Sequence, residues 1–149
     1  MQATKEQLTE ERVLSALYKN AKMGADAVIG LLPHVRDDAL RSLMTEQLDG
    51  YEKYAARAEG VLTARGSEAK EENLLTRAAA KVGIAINTMI DPTTSHSAEM
   101  MIEGSNMGIT DTTRLLNHYE AAADSVALPL AREMVLFEER NLEMLKRFL

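Results

Sequence analysis

One stretch of the chain concentrates residues that could bind a metal ion. Residues 95–108 read SHSAEMMIEGSNMG, with one histidine, two carboxylates, three methionines and two glycines in 14 positions. Imidazole and thioether groups suit copper(I), whereas carboxylates suit harder ions such as manganese. The stretch raises the question of whether these side chains converge on one ion.

Helical geometry separates the potential ligands. Residues three or four positions apart share one face of a helix. The predicted core stripe of this helix comprises Ala98, Ile102, Ser105, Ile109, Thr112, Leu116 and Tyr119. The opposite face carries His96, Met100, Glu103 and Met107. The ligands are therefore not expected to converge, and the methionines are interpreted as flexible packing residues, with a copper site as the alternative.

Glu138 is a better candidate for a functional site. Met134 and Val135 precede it by one turn, Leu142 follows it by one turn, and Glu138 occupies the centre of the apolar face of its predicted helix. A carboxylate in this position must be protonated, hydrogen-bonded, paired or bound to a metal, because an isolated buried charge costs several kcal/mol.

Further polar residues are predicted at the same level of the molecule, because antiparallel helices of similar length bring their midpoints together. The predicted buried polar layer comprises Glu138, Tyr51, Tyr18, Gln47 and Asn106, with Ser105 close by. Hydroxyl and amide groups can donate to a carboxylate, so the first interpretation is a network that fixes helix register. The alternative is a small-molecule site, or a metal site that uses Glu138 with Glu99 or His96.

Five amphipathic segments are predicted to position these groups. Apolar residues recur at helical spacing, and no alternating β pattern is present. The predicted helix starts are a capping box at Thr4 and Gln7, then Asp37 or Asp38, Ser67, Thr94 or Ser95, and Asp124. The first three helices are predicted to end near Pro33, Gly66 and Asp91. Gly104 and Gly108 could bend or divide the fourth helix, or allow two helices to approach closely.

These segments predict an all-α fold. The first two helices are joined by a short connection and must be antiparallel neighbours. We therefore expect an up-down antiparallel four-helix bundle with an additional fifth helix, in which residues 1–149 form a single helical-bundle domain.

Composition excludes several classes of function. The chain has no cysteine, so it has neither disulfides nor thiolate metal sites, which fits a cytoplasmic localisation. Its start is polar and no long apolar run follows, so we expect no signal peptide and no membrane span. The net charge is −6, and no cluster of Lys and Arg is present to bind phosphates, which argues against nucleic-acid binding.

The predicted arrangement resembles the ferritin-like superfamily, whose four-helix bundles include rubrerythrins and bacterioferritins. The resemblance covers nearly the whole chain: two long antiparallel helices, a helical connection, and a final helix pair with an inward glutamate. The phrases SHSAEMMIEGSNMGITDTT and FEERNLEMLKRFL look like those of small bacterial proteins in that superfamily, for which the resemblance implies no assigned activity.

The chain departs from the di-iron members of that superfamily, which carry a Glu-x-x-His motif on each of two helices. The residues three positions before its three histidines are Leu31, Thr93 and Leu115, none of which is acidic. His96-x-x-Glu99 has the reversed order and no second copy. A ferroxidase centre is therefore disfavoured, and the resemblance leaves only Glu138 as a remnant ligand position.

The resulting hypothesis is a bacterial, cytoplasmic, non-catalytic bundle protein that is stress-associated or binds a partner or small ligand, without a cofactor. The alternative is a degenerate ferritin-like protein that binds iron or manganese, with copper as a weaker option. The face bearing Met100 and Met107 is covered either by another helix of the chain, which we favour, or by the second subunit of a homodimer.

Overall fold

Capped, amphipathic helices make up most of the part of the chain that the computed structural model describes, residues 9–67 and 93–149. The helices are α1 (Glu10–Leu31), α2 (Asp38–Ala64), α3 (Thr94–His118) and α4 (Ala127–Leu145), and short 3-10 turns span Leu32–His34 and Lys146–Phe148. The described residues contain no strand, which agrees with the predicted all-α class. The predicted third helix, which follows Ser67 and ends near Asp91, lies outside the described residues, so α3 and α4 are the predicted fourth and fifth helices. No helix within the described ranges is both long enough and apolar enough to cross a membrane.

Side-chain caps explain where the first helices begin. Asp37 caps α2 as predicted, since its carboxylate accepts from the Leu40 N–H over 2.8 Å. Helix α1 begins at Glu10, where Thr9 has an extended backbone and its side chain accepts from the Arg12 N–H, and the predicted capping box at Thr4 and Gln7 is not tested. Thr4 itself lies outside the described residues.

Two further helix ends test the predicted signals. Thr93 caps α3 by accepting from the His96 N–H, one residue before the predicted Thr94 or Ser95. Gly66 follows the end of α2 with φ +75°, as its predicted C′ position requires. The Ser67 N–H then bonds to the Leu62 carbonyl over 2.8 Å and closes the helix. The capping residues in the sequence thus predicted these two helix ends to within one residue.

Contacts at one end of the bundle define its topology. Arg65, just after α2, forms an ion pair with Glu10 in the first turn of α1, so α1 and α2 are antiparallel. Glu10 also accepts from the Ala127 N–H at the start of α4. Tyr119, just after α3, hydrogen-bonds Ser125, so α3 ends at this same end of the bundle. Helices α2 and α3 therefore run in the same direction.

Two apolar clusters fill the bundle. The first cluster, at the end that holds Glu10, contains Val13, Leu14, Leu17, Tyr18, Ala21, Ala55, Ala58, Leu62, Ala127, Leu130, Ala131 and Met134. The second cluster, toward the other end, contains Ala25, Val28, Leu31, Val35, Leu40, Leu43, Met44, Tyr51, Met101 and Leu145. Along α4, Glu138 lies between Met134 of the first cluster and Leu145 of the second, so a polar group interrupts the core at the junction of the two clusters.

Helix α3 is continuous through Gly104 and Gly108. The two glycines differ in their surroundings. A Cβ added at Gly104 would meet no atom within 4 Å, whereas one at Gly108 would lie 2.9 Å from Glu138 Oε1. Close packing therefore explains Gly108 only, and Gly104 leaves open space beside the helix.

Candidate functional site

Glu138 on α4 and Tyr51 on α2 form the centre of the site. The Tyr51 hydroxyl donates to Glu138 Oε2 over 2.8 Å. The two residues are only 4% and 7% exposed, respectively. Both lie near the midpoints of neighbouring antiparallel helices, so their inward faces meet at the same level.

Burial controls the protonation of this pair. It raises the pKa of Glu138 from 4.5 to about 7, against the opposing effects of the hydrogen bond from Tyr51 and of the nearby Ser105 hydroxyl. Burial, the charge of Glu138 and the shared hydrogen bond raise the pKa of Tyr51 as well. Tyr51 therefore stays protonated and acts as a donor, while Glu138 can change its protonation near neutral pH.

Other polar side chains beside the pair have spare hydrogen-bonding capacity. Gln47 Nε2 donates to the Asn141 backbone oxygen over 3.5 Å, a long contact. Three nearby buried atoms make no hydrogen bond with the described residues: Ser105 Oγ, Gln47 Oε1 and Asn141 Nδ2. Ser105 and Asn141 nevertheless lie close enough to Tyr51 to lower its pKa. Because buried polar atoms are rarely left without partners, the layer can accommodate further donors and acceptors beside Glu138.

The remaining members of the predicted layer lie elsewhere. Tyr18 is buried, but it belongs to the first cluster. The placement of Asn106 in the layer is wrong, because its side chain is exposed. The buried residues of α3 are Ser97, Ala98, Met101, Ser105 and Thr112. Their centre is displaced by roughly 40° from the predicted stripe toward the methionine face, which turns Asn106 outward.

A cleft between α1 and α3 exposes the centre of the site. It has a volume of about 110 Å³, is mostly apolar and is partly open. Its α1 wall includes Asn20, Met23, Gly24 and Asp26, and its α3 wall includes Met100, Met101, Gly104, Met107, Gly108 and Asp111. Tyr51 and Glu138 also line it. We call this feature the α1–α3 cleft.

The cleft corrects the predicted orientation of the methionine face of α3. Met100 and Met107 were expected to point away from the core and from any site, yet both border the same cleft as Glu138. Met100 packs against the second cluster, and Met107 remains 58% exposed. The reason is that α3 packs on α4 with one face and turns an adjacent face toward α1.

The predicted metal ligands are not brought together. Within residues 9–67 and 93–149, no group of three or more His, Cys, Asp or Glu side chains is placed to hold a metal ion. His96 Nδ1 and Glu99 Oε2 pair with each other at 3.6 Å in the first turns of α3. Ser105, which adjoins Glu138, lies six to nine residues further along the helix, or about 9–14 Å at 1.5 Å per residue. The donors within the described ranges therefore do not assemble the ligand set of a di-iron centre.

Glu10 is an important residue that sequence reasoning missed. Its carboxylate accepts from the N–H groups of Val126 and Ala127 and from the Ser125 hydroxyl, and it pairs with Arg65 at 2.7 Å. Glu10 therefore caps α4 from a different helix, and the predicted cap at Asp124 is wrong. Glu10 lies 117 positions from Ala127, so no local sequence signal could have identified the pairing.

Glycine in α1 allows Tyr51 to reach Glu138. A Cβ at Gly24 would collide with the Tyr51 ring, which packs directly on the α1 backbone. Phe137 holds the other side of that ring edge-on, with 5.0 Å between ring centroids. The position of the tyrosine is therefore determined by its hydrogen bond, by an aromatic contact and by the missing side chain at residue 24.

We expect Gly24→Ala to lower the free energy of unfolding by about 1–3 kcal/mol, because the added methyl group must displace a buried, hydrogen-bonded ring. Gly60→Ala on α2 is the matched control, since its Cβ meets no atom within 4 Å. Alanine favours a helix over glycine by about 1 kcal/mol, so this variant should be unchanged or more stable. Urea unfolding measures both changes, and equal effects would contradict the proposed contact.

Comparison with known proteins agrees with the fold. No family model matches the sequence, and no curated protein matches it. The crystal structure of a two-domain protein from Anabaena variabilis, which contains DJ-1/ThiJ/PfpI-like and ferritin-like domains, matches with a TM-score of 0.75 and 16% sequence identity. The match covers 93% of this chain, which spans 38% of the length of that chain. The likeness confirms the predicted ferritin-like helical bundle.

Proposed function

We propose that this chain, a helical bundle of ferritin-like fold, binds a small and mostly apolar molecule in the α1–α3 cleft without catalysing its conversion. The observation that carries the proposal is the buried Tyr51–Glu138 pair in the wall of an otherwise apolar cleft. Ligand sites are typically concave and apolar with a few fixed polar groups, and helical bundles often place them between helices.

The size and lining of the cleft indicate what would fit. An apolar cavity of about 150 Å³ can hold benzene, so about 110 Å³ with an open side suits a molecule of about four to six heavy atoms. Four methionines line the walls: Met23, Met100, Met101 and Met107. Thioether side chains are flexible and adapt to ligands of different shape, so this lining suits the binding of several related molecules rather than one of fixed shape.

The chemistry of the lining supports binding without reaction. Among the described residues that line the cleft, none is a serine, threonine, histidine or lysine that could act as a nucleophile. The raised pKa of Tyr51 disfavours it as a base. The described lining also provides no histidine or lysine beside Glu138 that could relay a proton. Its hydrogen bond to Tyr51 fits a role in orienting a ligand and in fixing helix register.

A small ligand accounts for the cleft better than the other forms of binding considered from the sequence. A metal ion would need donors that the described residues do not assemble. A protein partner or a second subunit would need an extended complementary surface, whereas the polar groups here lie inside a narrow cleft. The absence of cysteine fits action in the reducing cytoplasm.

Binding can be measured through the methionine methyl groups. In protein labelled with [methyl-13C]methionine, n-butanol, n-butylammonium and butanoate are titrated separately while methyl NMR shifts are recorded. We expect at least one probe to shift Met100, Met101 and Met107 saturably. The resonances of Met44 and Met134, which lie in the two clusters, should move far less.

A pair of glycine variants tests the location. Gly104→Leu should fill the cleft and abolish the shifts while keeping the fold, because the new Cβ meets no atom within 4 Å. Gly60→Leu adds the same side chain to an equally open helical glycine outside the cleft and should bind normally. If none of the three probes gives saturable shifts, or if Gly104→Leu binds as well as Gly60→Leu, the proposed function is wrong.

A further inference from the structure

We infer that the ligand of the α1–α3 cleft is a small organic cation, a protonated amine carried on a short apolar body. This inference rests on the proposed function and names the class of molecule that the site would take. The observations that support the inference are the carboxylates that line the cleft and the position of one carboxylate oxygen of Glu138.

Carboxylates reach the cleft from three different helices. Asp26 comes from α1, Asp111 from α3 and Glu138 from α4, and no Lys, Arg or His belongs to the lining formed by the described residues. Arg114 contacts Asp111 at 3.4 Å, but it is largely exposed and does not line the cleft. A cation in the cleft would therefore meet negative charge on several sides, whereas an anion would be repelled.

One oxygen of the buried carboxylate borders the cleft. Tyr51 donates to Glu138 Oε2, and Oε1 lies against Gly108, which is itself a wall residue of the cleft. A Cβ added at Gly108 would lie 2.9 Å from Oε1, so this oxygen borders the wall of the cleft directly. An ammonium group next to this oxygen would pair a charge that is otherwise isolated in an apolar setting, which is where an ion pair is strongest. The position of Oε1 at the wall of the cleft thus points to a hydrogen-bond donor as the ligand's polar end.

The apolar walls of the cleft indicate that the part of the ligand beyond its cationic end is apolar. Among the described residues no three acidic or other ligating side chains are grouped to hold a metal ion, and the methionines offer no oxygen ligands that could replace its hydration shell. An alkyl body can instead pack against these thioether side chains while its ammonium end reaches Glu138. The combination of apolar walls and buried negative charge therefore favours organic cations over inorganic ones.

Protonation of Glu138 should control this preference. The ionisable groups that line the cleft are Tyr51 on α2, Asp26 on α1 and Asp111 on α3, in addition to Glu138. Tyr51 remains neutral, and burial raises the pKa of Glu138 to about 7. Affinity for the cation should therefore fall as the pH is lowered from 8 to 6, while affinity for a neutral ligand of the same shape should not.

The three butyl probes test the inference at pH 8. We expect n-butylammonium to bind about tenfold more tightly than n-butanol or better, and butanoate to give no saturable shift. If n-butanol or butanoate binds as tightly as the ammonium ion, the inference is wrong and the proposed function stands. If no probe binds, the proposed function fails and the inference fails with it.

Charge-removing variants separate the local effect from net charge. Asp26→Asn should weaken n-butylammonium by about threefold or more and leave n-butanol unchanged. Glu103→Gln is the matched control, because Glu103 is an exposed acid on α3 that does not line the cleft. Glu138→Gln should remove the pH dependence of n-butylammonium binding. Equal effects of Asp26→Asn and Glu103→Gln would overturn the assignment of the charge to the cleft.

Discussion

At pH 8, Glu138→Gln is expected to be more stable than the wild-type protein, by up to about 3 kcal/mol in urea unfolding. Burial raises the pKa of Glu138 from 4.5 to about 7, so at pH 8 the folded protein contains an ionised carboxylate in an apolar setting. Glutamine keeps the shape and an oxygen that can accept from Tyr51, but it carries no charge. Each pKa unit corresponds to about 1.4 kcal/mol, and this conversion sets the upper limit of the expected gain in stability.

The advantage of the variant should shrink as the pH is lowered. Between about pH 4.5 and 7 the folded protein holds a proton on Glu138 that the unfolded chain has released. The contribution of Glu138 to stability therefore falls as the pH rises through this window and is constant above about 7. Glu138→Gln should lack this fall, so the two proteins should converge toward pH 4.5.

Two controls distinguish charge from shape. Glu138→Ala should be about 2 kcal/mol or more less stable than Glu138→Gln, since it leaves a cavity and removes the acceptor of the buried Tyr51 hydroxyl. Glu139→Gln removes the same charge at an exposed neighbouring position and should follow the wild-type profile. A larger loss for glutamine than for alanine at pH 8 would mean that the ionised carboxylate is paired within the protein.

The central pair was predictable because its position depends on helix periodicity alone. Glu138 stands at the centre of an apolar face, and Tyr51 lies at the midpoint of α2, so two patterns with a period of 3.6 residues and one antiparallel connection bring them together. Gln47, one turn from Tyr51, is buried for the same reason. Periodicity therefore predicts which residues face inward whenever a helix has one dominant apolar face.

The same reasoning was insufficient for α3, which packs on two neighbours. Its sequence places apolar residues on more than half of its circumference, so the angular centre of burial is poorly determined. Ile102 was assigned to the stripe and is only partly buried, whereas Met101 is buried. The predicted stripe differs from the observed buried face by roughly 40°. For this reason the prediction wrongly placed Asn106 in the buried layer and Met107 away from the cleft. Only the arrangement of α1 and α4 around α3 decides these positions.

The site also shows why fold and function must be argued separately. The bundle has the ferritin-like arrangement with a glutamate in its core, yet that glutamate hydrogen-bonds a tyrosine rather than joining a Glu-x-x-His ligand set. A shared architecture provides a protected position between helices, and the side chains placed there determine its chemistry. In this chain they provide negative charge and thioether packing.

At pH 7, Glu10→Gln should lower the free energy of unfolding by about 1–3 kcal/mol. Burial alone would raise the pKa of Glu10, but the hydrogen bonds from Ala127, Arg65, Ser125 and Val126 outweigh it and lower the pKa from 4.5 to about 2. Glutamine can still accept from one or two N–H groups, but it cannot pair with the guanidinium. The expected loss of stability is smaller than the free energy that corresponds to the full pKa shift. The reason is that the Glu10 side chain is 18% exposed, so solvent screens its charge.

The pH dependence of this effect is opposite to that of Glu138. Because the folded pKa of Glu10 lies below the unfolded value, its contribution to stability is complete above about pH 4.5 and is lost as the pH falls toward 2. Glu11→Gln is the matched control: Glu11 also contacts Arg65, at 3.2 Å, but it does not cap α4, and its loss should stay within about 0.5 kcal/mol. Equal losses for the two variants would show that the ion pair, and not the cap, provides the stabilisation.

Amide exchange and the double variant locate the effect of Glu10 in the structure. In Glu10→Gln, the N–H groups of Val126 and Ala127 should lose protection from hydrogen exchange, because the carboxylate that accepts from them is gone. Ala127 and Glu138 are 11 residues apart on α4, or about 16 Å, so the two carboxylates should act independently. In the double variant Glu10→Gln with Glu138→Gln, the free energy of unfolding should then lack both the Glu10-dependent change below about pH 4.5 and the Glu138-dependent change between about pH 4.5 and 7. A coupling above about 0.5 kcal/mol would instead mean that the capped start of α4 and the buried layer at its middle form one cooperative unit.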